Sequence, residues 1–517
     1  DLLTNKEAQD NLLDAVLRTL QAQDDIVFSR RAGGAFYAFS EDGAALDRFA
    51  ALWSLALQQW APGLAFVLGR GRGSDMPEAF EHAKTDAHRR ASIERPMFPV
   101  AAPVAERAAR TGRVAVEKHP RHGAIDAATR RTKQFADLSR AGFIERYSPR
   151  DSTIGWRDWP RNLEPEADDP EGSFPFIDGQ RNVALIHADG NGMGQVLIRI
   201  GEAVRQRPED FQTIYATFSR AVDASTRFGA QQATCEVLIP NRRDGELLAA
   251  RPILLGGDDV IVLVRADLAL AYVESFARAF EQESMRQLAG LKNLGVTDLP
   301  ERLTMGFGLA YIGANQPFAM AADLAESIMA HAKTRAKRAA GGKLAPSSVA
   351  FYRVTTAMMD DYDTAIERVM SHREGRNVYT HTLGTYALSD GSAGSLPKLS
   401  DLNALVALLH SESMARGPLR GLLNLLQLDP SQARSSWRRW RQLMKNTQPQ
   451  ALQAFDDCIQ ALLPTYRADA ELPYAQAADG NDQADAIHFS PLGDALELLA
   501  LHHIPLSDIR SPQEIAA

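Results

Sequence analysis

The stretch that decides the fold is Val183-Ala-Leu-Ile-His-Ala-Asp-Gly-Asn-Gly-Met-Gly194, an apolar run that ends in an acidic, glycine-rich turn. The mostly apolar residues 183–188 predict a buried β-strand. The glycines that follow Asp189 predict a tight turn leading into a helix. We therefore expect the carboxylate of Asp189 to lie at the end of a strand, with glycine N–H groups beside it.

A second acidic turn lies further along the chain, in Gly256-Gly-Asp-Asp259. Short apolar segments flank it on both sides, which predicts a β-hairpin with the glycines in its turn. If this hairpin neighbours the first strand, Asp189, Asp258 and Asp259 converge at one edge of a sheet. Carboxylates so close together repel one another unless a divalent cation neutralises them. The sequence thus predicts a Mg²⁺ or Mn²⁺ site held by these three aspartates.

The elements around the two turns have the order strand, helix, two strands, helix, strand. After the acidic hairpin, a helix is predicted over 266–288, a strand over 303–312, a basic helix over 318–339 and a strand over 348–353. This βαββαβ order is typical of a ferredoxin-like α+β domain, in which helices cover one face of an antiparallel sheet.

The chain contains an internal repeat. His82-Ala-Lys-Thr-Asp-Ala-His-Arg89 and His331-Ala-Lys-Thr-Arg-Ala-Lys-Arg338 share six of eight residues, and a Gly-Gly turn lies upstream of each. In the first copy that turn is Gly33-Gly34-Ala35-Phe36, where Ala35 and Phe36 stand in place of the acids. The sequence therefore predicts two copies of one domain, of which only the second carries the carboxylates.

Groups that suit a triphosphate accompany the acids. Backbone N–H groups near the start of a helix bind phosphate, glycines leave space for a nucleotide beside the backbone, and lysines on one helix face supply positive charge. The predicted nucleotide-binding residues are Gly190, Asn191, Gly192, Gly256, Gly257, Lys333, Lys337 and, in the first copy, Lys84.

Composition excludes several classes of protein. The 517 residues are 45% hydrophobic and 24% charged, as in a soluble globular protein of three to four domains. The formal net charge of −8 argues against a basic coat for nucleic acid, and no apolar run is long enough to span a membrane. Cys235 and Cys458 are too few for a disulfide framework or a four-cysteine zinc site. Because no signal peptide is visible, a cytoplasmic location is expected.

Together these motifs resemble the large palm-domain subunit of type III CRISPR effector complexes, the CRISPR polymerase/cyclase. The strand with Asp189, the Gly-Gly-Asp-Asp hairpin and Ala332-Lys333 are similar to its second palm domain, and Tyr379-Thr-His-Thr-Leu-Gly-Thr-Tyr386 is similar to the segment that follows. The family also carries a degenerate first palm domain. The resemblance implies two ferredoxin-like palm domains, the second intact, followed by a mainly α-helical C-terminal domain. The implied domains are a degenerate first palm (1–112), an insert with an acidic linker (113–180), a catalytic palm (181–355) and a connecting strand segment with the helical domain (356–517).

The resemblance also implies an activity. In the family, the intact palm domain binds ATP with divalent metal and joins AMP units into cyclic oligoadenylates, a second messenger of antiviral defence. Asp189, Asp258 and Asp259 would be the catalytic, metal-holding residues, and Lys333 would lie near the phosphates. The implied partners are ATP, other CRISPR effector subunits and guide or target RNA, but no membrane.

The chain departs from the family pattern in four places. Asn191 stands where a second aspartate is common, which predicts a weaker or shifted metal site. The chain has no His-Asp nuclease motif, so DNase activity is not expected, and it lacks the zinc-binding cysteines often found between the palms. It begins at Asp1 and lacks the first strand of the first copy, so we expect either that an upstream segment is missing or that the chain is an unusually short, stand-alone relative.

Two other functions remain open. One is a scaffold subunit of an RNA-guided complex with a silent palm; the adjacent acids argue against it and Asn191 favours it. The other is a palm enzyme that makes cyclic dinucleotides. For Arg434-Ser-Ser-Trp-Arg-Arg-Trp-Arg441 we expect an amphipathic helix with its tryptophans packed inward, with RNA contact as the alternative. His82 and His331 are expected to cap or pack their helices rather than bind metal.

Overall fold

The computed structural model describes residues 11–32, 34–93, 101–120, 122–149, 152–163, 172–177, 181–355, 361–389, 395–476 and 486–509. The chain divides into two units. Unit 1 comprises Asp1–Trp156, Gly194–Ala224 and Arg286–Leu299, and unit 2 comprises Arg157–Met193, Ser225–Met285 and Pro300–Ala517.

Helices and strands are numbered in chain order. The helices are α1 (Leu12–Leu20), α2 (Gly43–Trp60), α3 (Met76–Ala91), α4 (Ala127–Ile144), α5 (Met193–Gln206), α6 (Phe211–Ala233), α7 (Ala269–Asn293), α8 (Phe318–Ala339), α9 (Tyr362–Val369), α10 (Leu399–His410), α11 (Gly417–Leu428), α12 (Pro430–Thr447), α13 (Pro449–Leu462) and α14 (Leu492–Ala500). The strands are β1 (Val27–Ala32), β2 (Ala35–Phe39), β3 (Ala115–His119), β4 (Gly123–Asp126), β5 (Asn182–Gly190), β6 (Ala250–Gly256), β7 (Asp259–Arg265), β8 (Met305–Gly313), β9 (Ser348–Arg353), β10 (Ser371–Glu374), β11 (Asn377–Thr380), β12 (Tyr386–Ala387), β13 (Ala475–Gln476) and β14 (Ala486–Phe489).

The main sheet of unit 2 has six strands in the order β12–β9–β8–β5–β7–β6. The central strand β5 pairs antiparallel with both β7 and β8, and β9 pairs parallel with β8. Because side chains alternate along a strand, Val183 and Leu185 point to one face, where they pack with Leu324 and Ile328 of α8. The strands and helices predicted for the second copy are confirmed, except that two helices, α5 and α6, follow β5 instead of one.

The outer strand β6 has an irregular ladder. Its pairing with β7 shifts register between Pro252 and Leu254, which marks a β-bulge or irregularity. Pro252 has no backbone N–H to donate, and proline within a sheet is confined to such outer strands and bulges.

Unit 1 contains the first copy of the repeat, which departs from the predicted order. β1 and β2 form a two-stranded hairpin, and α1 and α2 pack beside it through residues such as Leu13, Phe49 and Trp53. The strand expected at 64–68 joins no β-ladder within the described residues. The predicted strand over 64–68 is therefore wrong; Gly33 lies outside the described residues.

The segment that follows residues 64–68 packs on helix α3. The backbone N–H of Arg70 donates to Oδ2 of Asp86 in α3 at 3.0 Å, and a Cβ at Gly71 would lie 2.1 Å from the carbonyl oxygen of Ala79. Unit 2 has the same kind of contact, since a Cβ at Gly308 of β8 would lie 2.2 Å from the carbonyl oxygen of Ala325 in α8. Glycine thus permits close packing on the basic helix in both copies.

The region after β9 is mainly helical, as predicted, with α9 to α14. Strands β10 and β11 lie in the predicted connecting strand segment, and they join β14 and β13 in a small sheet of order β10–β11–β14–β13. Trp437 and Trp440 are buried and stack with their ring centroids 5.0 Å apart. Their predicted inward packing is confirmed, and they are not available to stack on RNA bases. Among the described residues, every helix is too short or too polar to cross a membrane. The domain boundaries after residues 112, 180 and 355 stay predictions.

Candidate active site

Two carboxylates meet at one end of the six-stranded sheet. Asp189 lies near the end of β5, and Asp258 lies in the turn between β6 and β7. A Cβ at Gly190 would lie 2.9 Å from Oδ2 of Asp258, so the glycine after Asp189 leaves the space that Asp258 needs. Burial and the neighbouring charge of Asp189 raise the pKa of Asp258 to about 6. Asp189 and Asp258, the acidic pair, therefore repel each other at neutral pH.

The turn that carries Asp258 is fixed by its backbone and by one distant side chain. Gly256 pairs with Asp259, so the connection has only two residues, and Gly257 has a φ of +65° that favours glycine. The buried hydroxyl of Thr226, on α6, donates to the carbonyl oxygen of Gly257 at 2.6 Å. Sequence reasoning missed Thr226, because its role depends on helix packing and not on any local motif.

Asp259 has a histidine partner. Nε2 of His187 lies 3.0 Å from Oδ1 of Asp259. The ladder between β5 and β7 ends at Ala188 and Val260, so Asp189 and Asp259 are the next opposed positions on one face of the sheet. The sequence held a signal for His187, which is two residues before Asp189 and hence on the same face of the strand.

The three predicted metal ligands thus share one end of the sheet. Within the described residues, however, no three His, Cys, Asp or Glu side chains form a group that could hold a metal ion. Asp189 and Asp258 are the assembled part, and the complete three-carboxylate site stays a prediction.

Lys333 offsets the charge of Asp189. Its Nζ lies 2.5 Å from Oδ2 of Asp189 and 2.8 Å from the carbonyl oxygen of Gly190. Gly306, which is opposite Asp189 in β8, makes this reach possible, because a Cβ there would lie 2.3 Å from Cγ of Lys333. The sequence signal for Gly306 was a glycine inside a predicted strand, which often marks a close approach of another group.

The side-chain nitrogen of Asn191 is used in hydrogen bonds within the protein. Only 6% of the residue is exposed, and Nδ2 donates to Oγ1 of Thr304 at 3.1 Å and to the carbonyl oxygen of Pro346 at 3.2 Å. An ionised carboxylate has no hydrogen to donate, so aspartate at this position would lose the hydrogen bond to the Pro346 carbonyl.

The other predicted nucleotide-binding residues are less constrained. Gly192 has a φ of +67°, and a Cβ there would meet no atom within 4 Å. Lys337 is exposed one turn after Lys333 on α8, and Lys84 is exposed on α3 of unit 1, whereas the acidic pair belongs to unit 2. Contacts of these residues with phosphate stay predictions.

The two histidines of the repeat bind neighbouring groups of their own unit. Nδ1 of His331 lies 2.8 Å from Oδ1 of Asp363, and its ring packs edge-on against Tyr362. Nδ1 of His82 lies 2.6 Å from the carbonyl oxygen of Arg72. These contacts agree with the predicted packing roles.

The acidic pair suits a divalent cation. Carboxylate oxygens are the ligands that Mg²⁺ and Mn²⁺ prefer. Burial, and then the charge of Asp189, raise the pKa of Asp258, so a cation beside the pair would stabilise its ionised form.

Residues 182–341 match the protein family described as the second palm domain of Cas10/Cmr2. This segment contains β5 to β8 with the acidic pair and Lys333, and it is therefore a Cas10-like palm domain. The resemblance predicted from the motifs is confirmed for it. No curated protein matches the chain.

Several solved structures match the chain. Csm1 from T. onnurineus is 14% identical, matches 95% of this chain and has a TM-score of 0.43. A Csm1–Csm4 cassette with AMPPNP matches 84% of this chain at 14% identity and a TM-score of 0.43, and one with cA3 matches 95% at 14% and 0.42. This chain covers 64%, 59% and 64% of those three chains, respectively.

Proposed function

We propose that the palm domain of unit 2 is a metal-dependent nucleotidyltransferase that converts ATP to cyclic oligoadenylates in CRISPR-linked antiviral defence. The observation that carries this proposal is the acidic pair, Asp189 and Asp258, with Lys333 bound to it inside a Cas10-like palm segment. Two neighbouring carboxylates with a lysine at a sheet end suit phosphate chemistry better than a purely structural role, because acids so close together repel each other.

Each residue of the site has a proposed task. Asp189, Asp258 and Asp259 would hold Mg²⁺ or Mn²⁺, which when bound lowers the pKa of an attacking hydroxyl and balances charge on the triphosphate. Lys333 and Lys337 would supply positive charge to the phosphates of the donor nucleotide.

The backbone and the first copy have tasks of their own. Gly190, Asn191, Gly192, Gly256 and Gly257 would line the nucleotide with backbone groups, since the two turns have little side-chain bulk. Lys84 would serve a second, acceptor nucleotide. Other subunits of a type III CRISPR effector complex, with guide and target RNA, are the proposed partners.

A scaffold subunit with a silent palm is the second candidate. Two observations favour it: Asp259 is bound to His187, and Asn191 uses its amide nitrogen for structural hydrogen bonds. Both features reduce the number of carboxylates that are free to bind a cation in the described site.

The test is a product assay on the full chain, alone and with any guide RNA and subunits that co-purify with it. Each radiolabelled nucleoside triphosphate is incubated with the protein and Mg²⁺ or Mn²⁺, and the products are resolved. Oligomers made from ATP support the proposal, whereas a cyclic dinucleotide would change the product class. A protein that is inert with all four nucleotides and with its partners present is a scaffold.

A further inference from the structure

Lys333 occupies the position at Asp189 where a cation would bind. Its Nζ contacts the side-chain Oδ2 of Asp189 and the carbonyl oxygen of Gly190, both at the end of β5, where Gly190 also lies close to Asp258. A divalent ion at the acidic pair would need the same carboxylate. Lysine and metal are therefore competitors for Asp189.

The lysine is able to leave without any movement of the fold. Its stem lies over Gly306, where β8 has no side chain, and α8 is anchored separately by buried residues such as Ala332 and Ala336. The side chain of Lys333 is 26% exposed, so its charged end has access to solvent and to a ligand. The four-carbon side chain is flexible, so rotation about its outer bonds moves Nζ while the inner carbons stay over Gly306.

We propose that Lys333 is a displaceable placeholder, which neutralises Asp189 in the empty site and moves to the triphosphate when a divalent cation takes its place. This inference rests on the proposed function and concerns how that site is loaded. Metal and nucleotide then bind cooperatively, because the metal releases the lysine and the released lysine binds phosphate. Coupling of this kind is reciprocal, so ATP raises metal affinity by the factor by which metal raises ATP affinity.

Mn²⁺ titration of the full chain, followed by the electron paramagnetic resonance signal of the free ion, tests the proposal without any turnover. Lys333→Met keeps an unbranched stem over Gly306 but removes the charge. We expect it to bind Mn²⁺ about tenfold more tightly than the wild type in the absence of nucleotide, since a positive charge beside the site is gone. ATP should then raise its Mn²⁺ affinity less than it does for the wild type.

The matched control is Arg338→Met, which removes one exposed positive charge from the same helix and should leave Mn²⁺ affinity unchanged. Lys333→Gln provides a second uncharged variant, and thermal unfolding shows whether each variant is folded. Equal or weaker Mn²⁺ binding by both Lys333 variants would overturn the placeholder.

Mn²⁺ titration of Asp189→Asn shows whether the ion binds through Asp189, and this result separates the placeholder from the proposed function. If the wild type binds Mn²⁺ through Asp189 and the Lys333 variants bind it no more tightly, the placeholder fails and the proposed function stands. If neither the wild type nor the Lys333 variants bind Mn²⁺, with or without ATP, both fail. Binding that is seen only in the Lys333 variants supports the placeholder.

Discussion

Asn191 and Thr304 are joined by two hydrogen bonds, one between their backbones at 2.8 Å and one from Nδ2 of Asn191 to Oγ1 of Thr304 at 3.1 Å. The Thr304 hydroxyl donates its own hydrogen to the carbonyl oxygen of Ala345 at 2.7 Å, so it accepts from Asn191. These bonds tie the turn after β5 to the chain just before β8 and to the segment before β9.

Asn191→Asp should destabilise the metal-free protein by about 1–3 kcal/mol at pH 7, because two donated hydrogen bonds are lost and a third acid joins the acidic pair. Chemical denaturation measures this loss. Asn446→Asp is the control, since Asn446 is exposed on α12 and accepts from Gln442 through its oxygen, which aspartate retains. Equal stability of Asn191→Asp and the wild type would show that the amide is dispensable.

Replacing Asp258 and Asp259 together with alanine should lower nucleotide polymerisation by at least about 10²–10³-fold, the scale of losing a main electrostatic stabiliser. The metal-free melting temperature should stay the same or rise slightly, because the change relieves repulsion within the acidic pair. Stabilisation by ATP with metal should shrink, as measured by thermal shift. Undiminished product formation would place the active site elsewhere.

Stability should depend on pH through Asp258. Its pKa is raised from the ordinary 3.8 to about 6, so the folded state holds the proton more tightly than the unfolded state. Ionised Asp258 therefore costs stability, at most about 3 kcal/mol above pH 6, and this cost disappears below about pH 4. We expect metal-free Asp258→Asn to be more stable than the wild type at pH 7 and equal to it near pH 4, by urea denaturation at each pH. A difference that is constant from pH 4 to 7 would contradict the assignment.

Gly306→Ala should destabilise the protein by about 1–3 kcal/mol and weaken ATP binding, because the added methyl group occupies the space of the Lys333 stem. Gly313→Ala is the matched control at the end of the same strand, where a Cβ would meet no atom within 4 Å. Denaturation and ATP titration of both variants test this. Equal stability and ATP affinity of the two variants would mean that the Lys333 side chain reaches Asp189 without the space over Gly306.

Trp440→Ala should destabilise the protein by about 3–5 kcal/mol, since a large buried side chain leaves a cavity beside Trp437 and Phe455. The neighbouring exposed residue provides the control, and Arg439→Ala should have little effect on thermal unfolding. Selective loss of RNA binding without loss of stability in Trp440→Ala would restore the RNA-contact reading of this helix.

The sequence was sufficient where the signal is local. Continuous apolar strands beside Asp189 and on both sides of the Gly-Gly-Asp-Asp turn predicted the central sheet, and the repeated motif predicted the basic helix that carries Lys333. The contact between Lys333 and Asp189 joins residues 144 positions apart, so its geometry, and the need for Gly306, depend on packing that no window of sequence contains.

The failed strand at 64–68 shows the opposite limit. An apolar run predicts extended backbone, but a strand also needs a partner to pair with. In the first copy the following glycines pack against α3, as Gly308 of β8 packs against α8, but within the described residues no strand pairs with residues 64–68. Propensity alone does not say whether a pairing strand is present.

The irregular outer strand β6 has a consequence for aggregation. An outer strand with free N–H and C=O groups is a template on which other molecules polymerise, and proline with a bulge is a common defence. Pro252 and the shifted register beside it place that defence on the strand that leads into the Gly-Gly-Asp-Asp turn. Pro252 and the irregular register thereby disfavour cross-β pairing along the outer edge of the hairpin that carries Asp258.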